Sequence, residues 1–182
     1  MEHRTADELT AALDGIRQSP SAEGTIELIV RRPGEDEREV LDEGTLDLAV
    51  GLVGDAWLAR GSSRMPDGSA NPDAQLTLMN ARAAEAITGG RDRWPLAGDQ
   101  LYVDLDLSID NLPAGTQLAV GDAVVEVTPE PHTGCAKFSA RFGTEALKFV
   151  NKSPGRELRL RGVNARVVTP GTVRAGDTIS KQ

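Results

Sequence analysis

A series of short, apolar, strand-like stretches separated by turn residues most constrains how this 182-residue chain can fold. Residues 117–120 and 123–128 flank Gly121-Asp122, a two-residue hairpin signal with glycine first, as a type II′ turn requires. Similar stretches occupy residues 25–31, 164–168 and 178–180. Short strands at turn-punctuated intervals, with few helices between them, predict a mainly β fold. We therefore expect a β-barrel of mixed strands with a few peripheral helices, rather than a doubly wound sheet.

The spacing of apolar residues predicts which faces are buried and where helices occur. In the first strand-like stretch, Ile26, Leu28 and Val30 alternate, so they should share one face. Residues 76–87 instead carry apolar side chains every three or four positions, which predicts the clearest internal helix. The same spacing predicts another helix over residues 138–150.

The N-terminal segment has the pattern of a short amphipathic helix. Within residues 5–18, Thr5 and Glu8 have the spacing of a capping box, and apolar residues follow at helical intervals. A stretch rich in serine, proline and glycine comes next. We therefore expect a helical appendage over residues 1–20 and the β-barrel domain over residues 21–182.

Charge and cysteine content exclude several classes of protein. The formal net charge of −8 disfavours nucleic acid, which binds basic surfaces through counterion release. A single cysteine excludes an intramolecular disulfide, and no apolar run approaches the length of a membrane span. The first ten residues lack the apolar stretch of a signal peptide. We therefore expect a cytoplasmic protein that binds neither nucleic acid nor a membrane.

The single cysteine is the strongest candidate for chemistry. Cys135 lies in the string PHTGCAKF, between His132 three residues before it and Lys137 two residues after it. Nearby positive charge favours the thiolate, which attacks electrophiles and binds soft metals. His132 and Lys137 are therefore candidates to balance that charge. The alternatives remain open, because most free cysteines are small buried hydrophobes and a histidine at a strand end often bonds only to backbone.

Other familiar sites do not fit the residues available. With only two histidines and one cysteine, a zinc site of His and Cys ligands within one chain is implausible. Neither of the glycine-rich nucleotide-binding signatures occurs. A cysteine hydrolase would need a base from elsewhere in the fold. The string GLVGDAW at residues 51–57 indicates a tight bend, in which Asp55 is expected to hold the loop.

Four strings in this order resemble the MOSC domain, which is found at the C-terminus of molybdenum cofactor sulfurases. They are GLVGDAW at 51–57, AGDQ at 97–100, LPAGTQLAVG at 112–121 and ARVVTPGTVRAGDTI at 165–179. Cys135 follows the third string, as the family cysteine does. The resemblance covers about residues 46–181 and implies a β-barrel with a few peripheral helices. Trp57 stands where the family usually has histidine, and Asp99-Gln100 stands where Glu-Asn is commoner.

The resemblance implies two roles for Cys135. It would ligate the molybdenum of bound molybdenum cofactor, or it would carry sulfur as a persulfide received from a pyridoxal-phosphate-dependent desulfurase. The partners implied are thus a small anionic cofactor or a sulfur-donor protein, and pyridoxal phosphate enters only through the donor. The remaining candidates for holding the cofactor are His132, Thr133, Lys137, Asp99, Gln100, Arg159 and Arg161.

Arg159 and Arg161 are candidates for the phosphate of the cofactor because they would share one face of a possible strand, and arginine binds phosphate bidentately. A solvated face is the alternative for this pair. The rival to both roles is a non-enzymatic binding module on the same barrel. In that case the N-terminal helix or the loop at residues 61–72 would contact a partner.

Overall fold

The computed structural model describes residues 3–182. The strands are β1 (Glu23–Arg31), β2 (Glu39–Leu41), β3 (Glu43–Asp47), β4 (Gly51–Leu52), β5 (Leu76–Asn80), β6 (Leu101–Asp104), β7 (Gln117–Val120), β8 (Ala123–Val127), β9 (Val163–Thr169), β10 (Gly171–Arg174) and β11 (Thr178–Lys181). The helices are α1 (Ala6–Ala11), α2 (Leu13–Arg17), α3 (Trp57–Arg60), α4 (Ala81–Thr88) and α5 (Ala136–Asn151). Two 3₁₀ segments, Pro72–Ala74 and Arg91–Ala97, complete the elements.

Seven strands close into a barrel in the order β1-β11-β7-β8-β9-β5-β6 and back to β1. The β5–β6 pair is parallel and the other pairs of the barrel are antiparallel, so the barrel is mixed. β2 extends the sheet outward from β1, and β10, β3 and β4 form a separate three-stranded sheet. The predicted mixed β-barrel with few helices is confirmed. The predicted hairpin is β7–β8, and Gly121 has the positive φ of 56° that its turn needs.

The barrel separates two apolar clusters, and β1 contributes to both of them. Ile26 and Ile29 point into the barrel interior, whereas Leu28 and Val30 join the cluster between the barrel and the helices. The expectation that Ile26, Leu28 and Val30 share one face was therefore wrong. The pairing of β1 with β6 shifts register between Ile26 and Leu28, and such a bulge reverses the alternation of side chains.

The N-terminal helices pack on the outside of the barrel through apolar side chains. Thr5 and Glu8 form the predicted capping box, with the Thr5 side chain accepting from Glu8 N–H and the Glu8 carboxylate accepting from Thr5 N–H. Leu9, Leu13 and Ile16 are buried in the same cluster as the inner faces of α4 and α5. The predicted single helix is two short ones, because Ala12 separates α1 from α2.

The expectation of one helix over residues 76–87 was wrong in its first half. Residues 76–80 form β5, whose side chains are all buried, and the helix begins only at Ala81. Asn80 caps this helix, because its side-chain oxygen accepts from Ala83 N–H at 2.9 Å. The predicted helix over residues 138–150 is present as α5, with non-helical geometry at Gly143. No helix within residues 3–182 has both the length and the apolar character needed to cross a membrane.

Candidate functional site

Cys135 is exposed at the end of the loop that joins β8 to α5, and α5 begins at the next residue. Two hydrogen bonds fix the peptide before it: Gly134 N–H donates to Asn151 Oδ1 at 2.8 Å, and Asn151 Nδ2 donates to the Gly134 carbonyl at 3.0 Å. Asn164 Nδ2 donates to the Glu130 carbonyl at 3.0 Å and holds the start of the loop. Cys135 is thus an exposed thiol on a fixed backbone and is not a buried core residue.

Two adjoining hollows meet at this thiol. Their volumes are about 550 and about 660 Å³, and they share Arg32, Arg60 and Cys135. We call them together the thiol cleft. Its acidic lining residues are Glu35, Asp36 and Glu130. Its more numerous basic lining residues, His132 aside, are Arg32, Arg38, Arg60, Arg64, Lys137, Arg141 and Arg161.

Two of these arginines have positive charge that the protein does not neutralise directly. The Arg60 side chain has no hydrogen-bond or ion-pair partner among residues 3–182, and burial and the charge of Arg32 lower its pKa. Arg38 donates from Nε to the Pro95 carbonyl at 3.1 Å, and burial and the nearby Arg141 lower its pKa. Crowded, partly desolvated cations raise the energy of the empty cleft. An anion bound among them would reduce that cost.

A buried ionic network anchors the loop that carries Cys135. The fully buried carboxylate of Asp99 accepts from Arg161 Nη1 at 2.6 Å and lies 2.8 Å from His132 Nε2. Burial alone would raise the pKa of Asp99, but Arg161 and His132 outweigh it and hold the pKa below its usual range. Burial and then the Arg161 charge lower the pKa of His132, so its neutral form is favoured. A neutral imidazole that donates from Nε2 to Asp99 leaves Nδ1 as an acceptor.

A second buried carboxylate lies beside the first. Asp55 accepts from Arg32 Nε and Nη2, both at 2.9 Å, and from the backbone N–H groups of Arg32 and Trp57, both at 3.0 Å. Arg32 Nη1 donates to the Gly98 carbonyl at 2.9 Å. Asp55 therefore holds its loop, and through Arg32 it links that loop to the turn that carries Asp99.

Lys137 bonds to the tip of the β1–β2 connection. Its Nζ lies 2.8 Å from Glu35 and 3.7 Å from Asp36, and these contacts raise its pKa. Arg141 also pairs with Asp36. These exposed ion pairs place the tip of the connection against the first turns of α5, at the edge of the thiol cleft.

The other predicted site residues lie in different places. Thr133 is exposed and lines the thiol cleft. Gln100 is fully buried, and its Oε1 accepts from the backbone and hydroxyl of Thr77 at 2.8 and 2.6 Å. Arg159 does not line the thiol cleft but donates to the Leu112 carbonyl at 2.6 Å.

The strand expected to carry Arg159 and Arg161 is absent. The chain forms successive turns there, and Arg159 has a φ of 49°. Side chains do not alternate between two faces in such a segment. The two arginines therefore do not form the pair that the sequence suggested, and only Arg161 reaches the thiol cleft.

The basic residues that sequence reasoning missed come from separate elements. Arg32 follows β1, Arg60 ends α3, and Arg64 belongs to the loop after α3. Trp57 also lines the cleft, and its Nε1 donates to the Asn71 carbonyl at 3.3 Å. The one available signal was the GLVGDAW string, because its aspartate holds Arg32.

Comparison with known proteins agrees with this architecture. The family model described as the MOSC domain matches residues 68–180, which is more than half of the chain. The match begins after the GLVGDAW string and includes Asp99, His132 and Cys135. No curated protein matches the sequence.

Three solved structures share the fold. The YuaD protein from Bacillus subtilis is 18% identical with a TM-score of 0.60, covering 88% of this chain and 97% of that one. YiiM from Escherichia coli is 19% identical with a TM-score of 0.55, covering 87% and 69%. YiiM from Geobacillus stearothermophilus is 15% identical with a TM-score of 0.54, covering 87% and 75%. At these identities the likeness extends to the fold alone.

Proposed function

The chain belongs to the MOSC domain family, and on that premise we propose that its thiol cleft binds molybdenum cofactor with Cys135 as the protein ligand. One observation carries this proposal: the single thiol of the chain is exposed in a cleft whose walls are rich in arginine. A soft sulfur ligand suits molybdenum, and guanidinium groups suit the phosphate of the pterin. Cys135 and Arg60 line both hollows of the thiol cleft, so the two features lie side by side.

The residues present fit such a group. No set of three or more His, Cys, Asp or Glu side chains within residues 3–182 could hold a metal ion alone. A cofactor that brings its own metal ligands needs only one sulfur from the protein, and Cys135 supplies it. When bound, the cofactor would supply a metal centre capable of redox chemistry.

The chain's own residues have separate tasks in this proposal. The Cys135 thiolate binds the metal. Arg60, whose side chain has no partner in the described part of the chain, receives the phosphate together with Arg38 or Arg64. Asp99 and Asn151 hold the loop, so that the thiol does not move as the ligand enters. His132 presents Nδ1 as a hydrogen-bond acceptor beside that loop.

A second role is favoured by the exposure of the thiol. Cys135 is exposed, so a donor protein can reach it, as transfer of sulfur between proteins requires. The Cys135 thiolate would attack the terminal sulfur of a persulfide on a desulfurase. A new S–S bond forms on Cys135, the S–S bond of the donor breaks, and the donor leaves as a thiolate. Sulfur moves without net oxidation, and pyridoxal phosphate stays with the donor enzyme.

Metal and mass analysis test the two roles separately. Protein purified from a host that makes molybdenum cofactor should contain molybdenum and pterin, and both should be lost in Cys135→Ser. Arg60→Gln should retain less of both, whereas Arg166→Gln, an exposed arginine outside the cleft, should not differ from wild type. Incubation with a desulfurase and cysteine should add one sulfur atom to wild type but not to Cys135→Ser. Absence of metal, pterin and sulfur adduct would refute both roles.

The rate of thiol modification separates these roles from a non-enzymatic binding module. A reactive site predicts that Cys135 in the folded protein reacts with a thiol probe at least as fast as in urea-unfolded protein. A thiol that reacts only after unfolding would favour the binding module. Because the assay needs neither metal nor desulfurase, it remains informative when the purified protein carries no ligand.

A further inference from the structure

A second cleft, of about 470 Å³, lies on the other side of the loop that carries His132. We call it the apolar cleft. It shares residues 130–133, Arg161 and Asn164 with the thiol cleft, so segment 130–133 forms a wall common to both. Cys135 does not line it. Arg38, Arg60 and Arg64, which are proposed to hold the cofactor phosphate, do not line it either.

The walls of the apolar cleft are mainly aliphatic. Val150 from α5 and Val163 from β9 are buried along it. Ile109 stands at it with 46% of its surface exposed. Pro129 and Pro131 add further carbon surface. Covering an exposed isoleucine beside buried aliphatic side chains with a hydrocarbon group lowers the free energy, because apolar surface is removed from water.

Three guanidinium groups also line this cavity. Arg156 is exposed, and its side chain has no hydrogen-bond or ion-pair partner among residues 3–182. In the described part of the chain, the Arg159 side chain bonds through Nη1 alone, which donates to the carbonyls of Leu112 and Leu107, and burial lowers its pKa. Arg161 is 93% buried, and its Nε has no partner within the described part of the chain.

Negative charge in the walls is scarce by comparison. Among residues 3–182, Glu130 is the only acidic residue that lines the cleft, and it is paired with Arg64. Arg161 is likewise paired, with Asp99, so the excess positive charge comes from the exposed Arg156 and the partly desolvated Arg159. The cavity therefore combines this charge with a hydrocarbon surface. The hydrocarbon surface favours the apolar part of an amphipathic ligand, and the positive charge favours its anionic group.

We propose that the apolar cleft binds a small organic carboxylate, with its hydrocarbon part on Ile109, Val150 and Val163 and its carboxylate at Arg156 and Arg159. The positive charge of the arginines is the reason for proposing an anionic group in the ligand, and the aliphatic walls are the reason for proposing a hydrocarbon part. The site is separate from the chemistry proposed for Cys135, although its ligand would contact the loop that holds the thiol.

Octanoate is a suitable probe. Octanol has the hydrocarbon chain without the carboxylate, and acetate has the carboxylate without the long chain. Titration into protein with ¹³C-labelled isoleucine and valine methyl groups should shift the signals of Ile109, Val150 and Val163 in a saturable manner. Octanol and acetate should each bind at least about tenfold more weakly, because each lacks one of the two contacts. Equal affinity for octanol and octanoate, or shifts centred elsewhere, would overturn the proposal.

Variants of the arginines provide a second test of the site. Arg156→Gln should weaken octanoate binding about three- to tenfold and leave octanol binding unchanged. Arg166→Gln is the matched control, because this exposed arginine lies outside the cleft and pairs with Glu126. An equal effect in both variants, or none in Arg156→Gln, would contradict the site. Arg159 variants are less useful, since that side chain also holds the Leu112 carbonyl.

The outcome is independent of the function proposed for Cys135. Octanoate titration involves no metal, pterin or sulfur transfer, so a protein that fails those assays can still bind octanoate. A protein that passes them can likewise fail to bind it.

Discussion

Two fully buried carboxylates beside the thiol cleft are held in different ways. Asp55 is surrounded only by donors: two guanidinium nitrogens of Arg32 and two backbone N–H groups. Asp99 has one guanidinium donor, from Arg161, and one imidazole nitrogen, from His132. The first arrangement requires a carboxylate, whereas the second includes a ring that can donate or accept. Asp55 is therefore part of a rigid scaffold, and Asp99 belongs to a network that can respond to protonation.

Arg32 and Arg161, the arginines that pair with these carboxylates, also differ in how completely they are hydrogen-bonded. All three nitrogens of the Arg32 guanidinium are bonded, two to Asp55 and one to the Gly98 carbonyl. Arg161 bonds through Nη1 and Nη2, and its Nε has no partner among residues 3–182. Both arginines bond to the turn at residues 97–99. This turn therefore connects the Asp55–Arg32 pair, whose hydrogen bonds are all made, to the Asp99–Arg161 pair, in which one guanidinium nitrogen is left over.

The largest expected effect follows from removing the charge of Asp55. Asp55→Asn places an amide NH₂ among groups that can only donate, so it should lower the free energy of unfolding by about 3–5 kcal/mol. Urea denaturation monitored by tryptophan fluorescence measures this. Asp122→Asn, at an exposed carboxylate, is the control and should change stability by less than about 0.5 kcal/mol. A loss of less than about 1 kcal/mol in Asp55→Asn would mean that the all-donor environment does not matter.

A smaller loss is expected at the second carboxylate. Asp99→Asn should cost about 1–3 kcal/mol, because His132 can change tautomer and accept from the new amide. The same denaturation experiment ranks the two variants directly. If Asp99→Asn proved more damaging than Asp55→Asn, the contrast between a scaffold and an adaptable network would be wrong.

The adaptable network should make stability depend on pH. The pKa of His132 lies below its usual 6.5 in the folded state, so between these two values the unfolded chain binds more protons. The stabilising contribution is thus complete above pH 6.5 and is lost as the pH falls below it. The lowered pKa of Asp99 acts in a separate window, below its usual value of 3.8.

Stability measurements at several pH values between about 7 and about 5 test this contribution. His132→Gln should reduce the slope of unfolding free energy against pH in this interval. An identical slope in wild type and His132→Gln would exclude His132 as its source.

The smallest change in stability is expected at a cleft arginine that holds no carboxylate. Arg60→Gln should alter the free energy of unfolding by no more than about 0.5 kcal/mol. It should nevertheless slow the reaction of Cys135 with the anionic disulfide 5,5′-dithiobis(2-nitrobenzoate) about two- to fivefold, by weakening electrostatic attraction. The rate with neutral N-ethylmaleimide should stay the same. Equal slowing with both reagents would indicate a structural change instead of a loss of charge.

The spacing of apolar residues predicted helices and strands correctly where one face of the element is exposed to water. It predicted them poorly where both faces are buried. The β7–β8 hairpin and the capping box at Thr5 depend on residues within a few positions of each other, and both were predicted. β5 is buried on both faces, so its apolar residues do not alternate, and the following helix extended the apparent helical spacing. The bulge in β1 had no local signal, because it depends on pairing with β6.

The candidate site shows the same division. Cys135, His132 and Lys137 stood out because the string PHTGCAKF is local. Arg32 and Arg60 could not be connected with that string, since they are far from it in the chain. Arg159 was grouped with Arg161 by sequence spacing. Both line the apolar cleft, but the turns between α5 and β9 leave only Arg161 also lining the thiol cleft.

By itself the sequence determined the β-rich architecture, the helix cap, the hairpin and the family to which the chain belongs. Each of these depends on hydrogen-bonding preferences and side-chain patterns within a short stretch of chain. Only the tertiary structure decided which charges surround the thiol, because closing the barrel brings together the end of β1, the end of α3 and the loop before α5. Coulomb interactions and burial depend on distance in space, which spacing along the chain does not reveal.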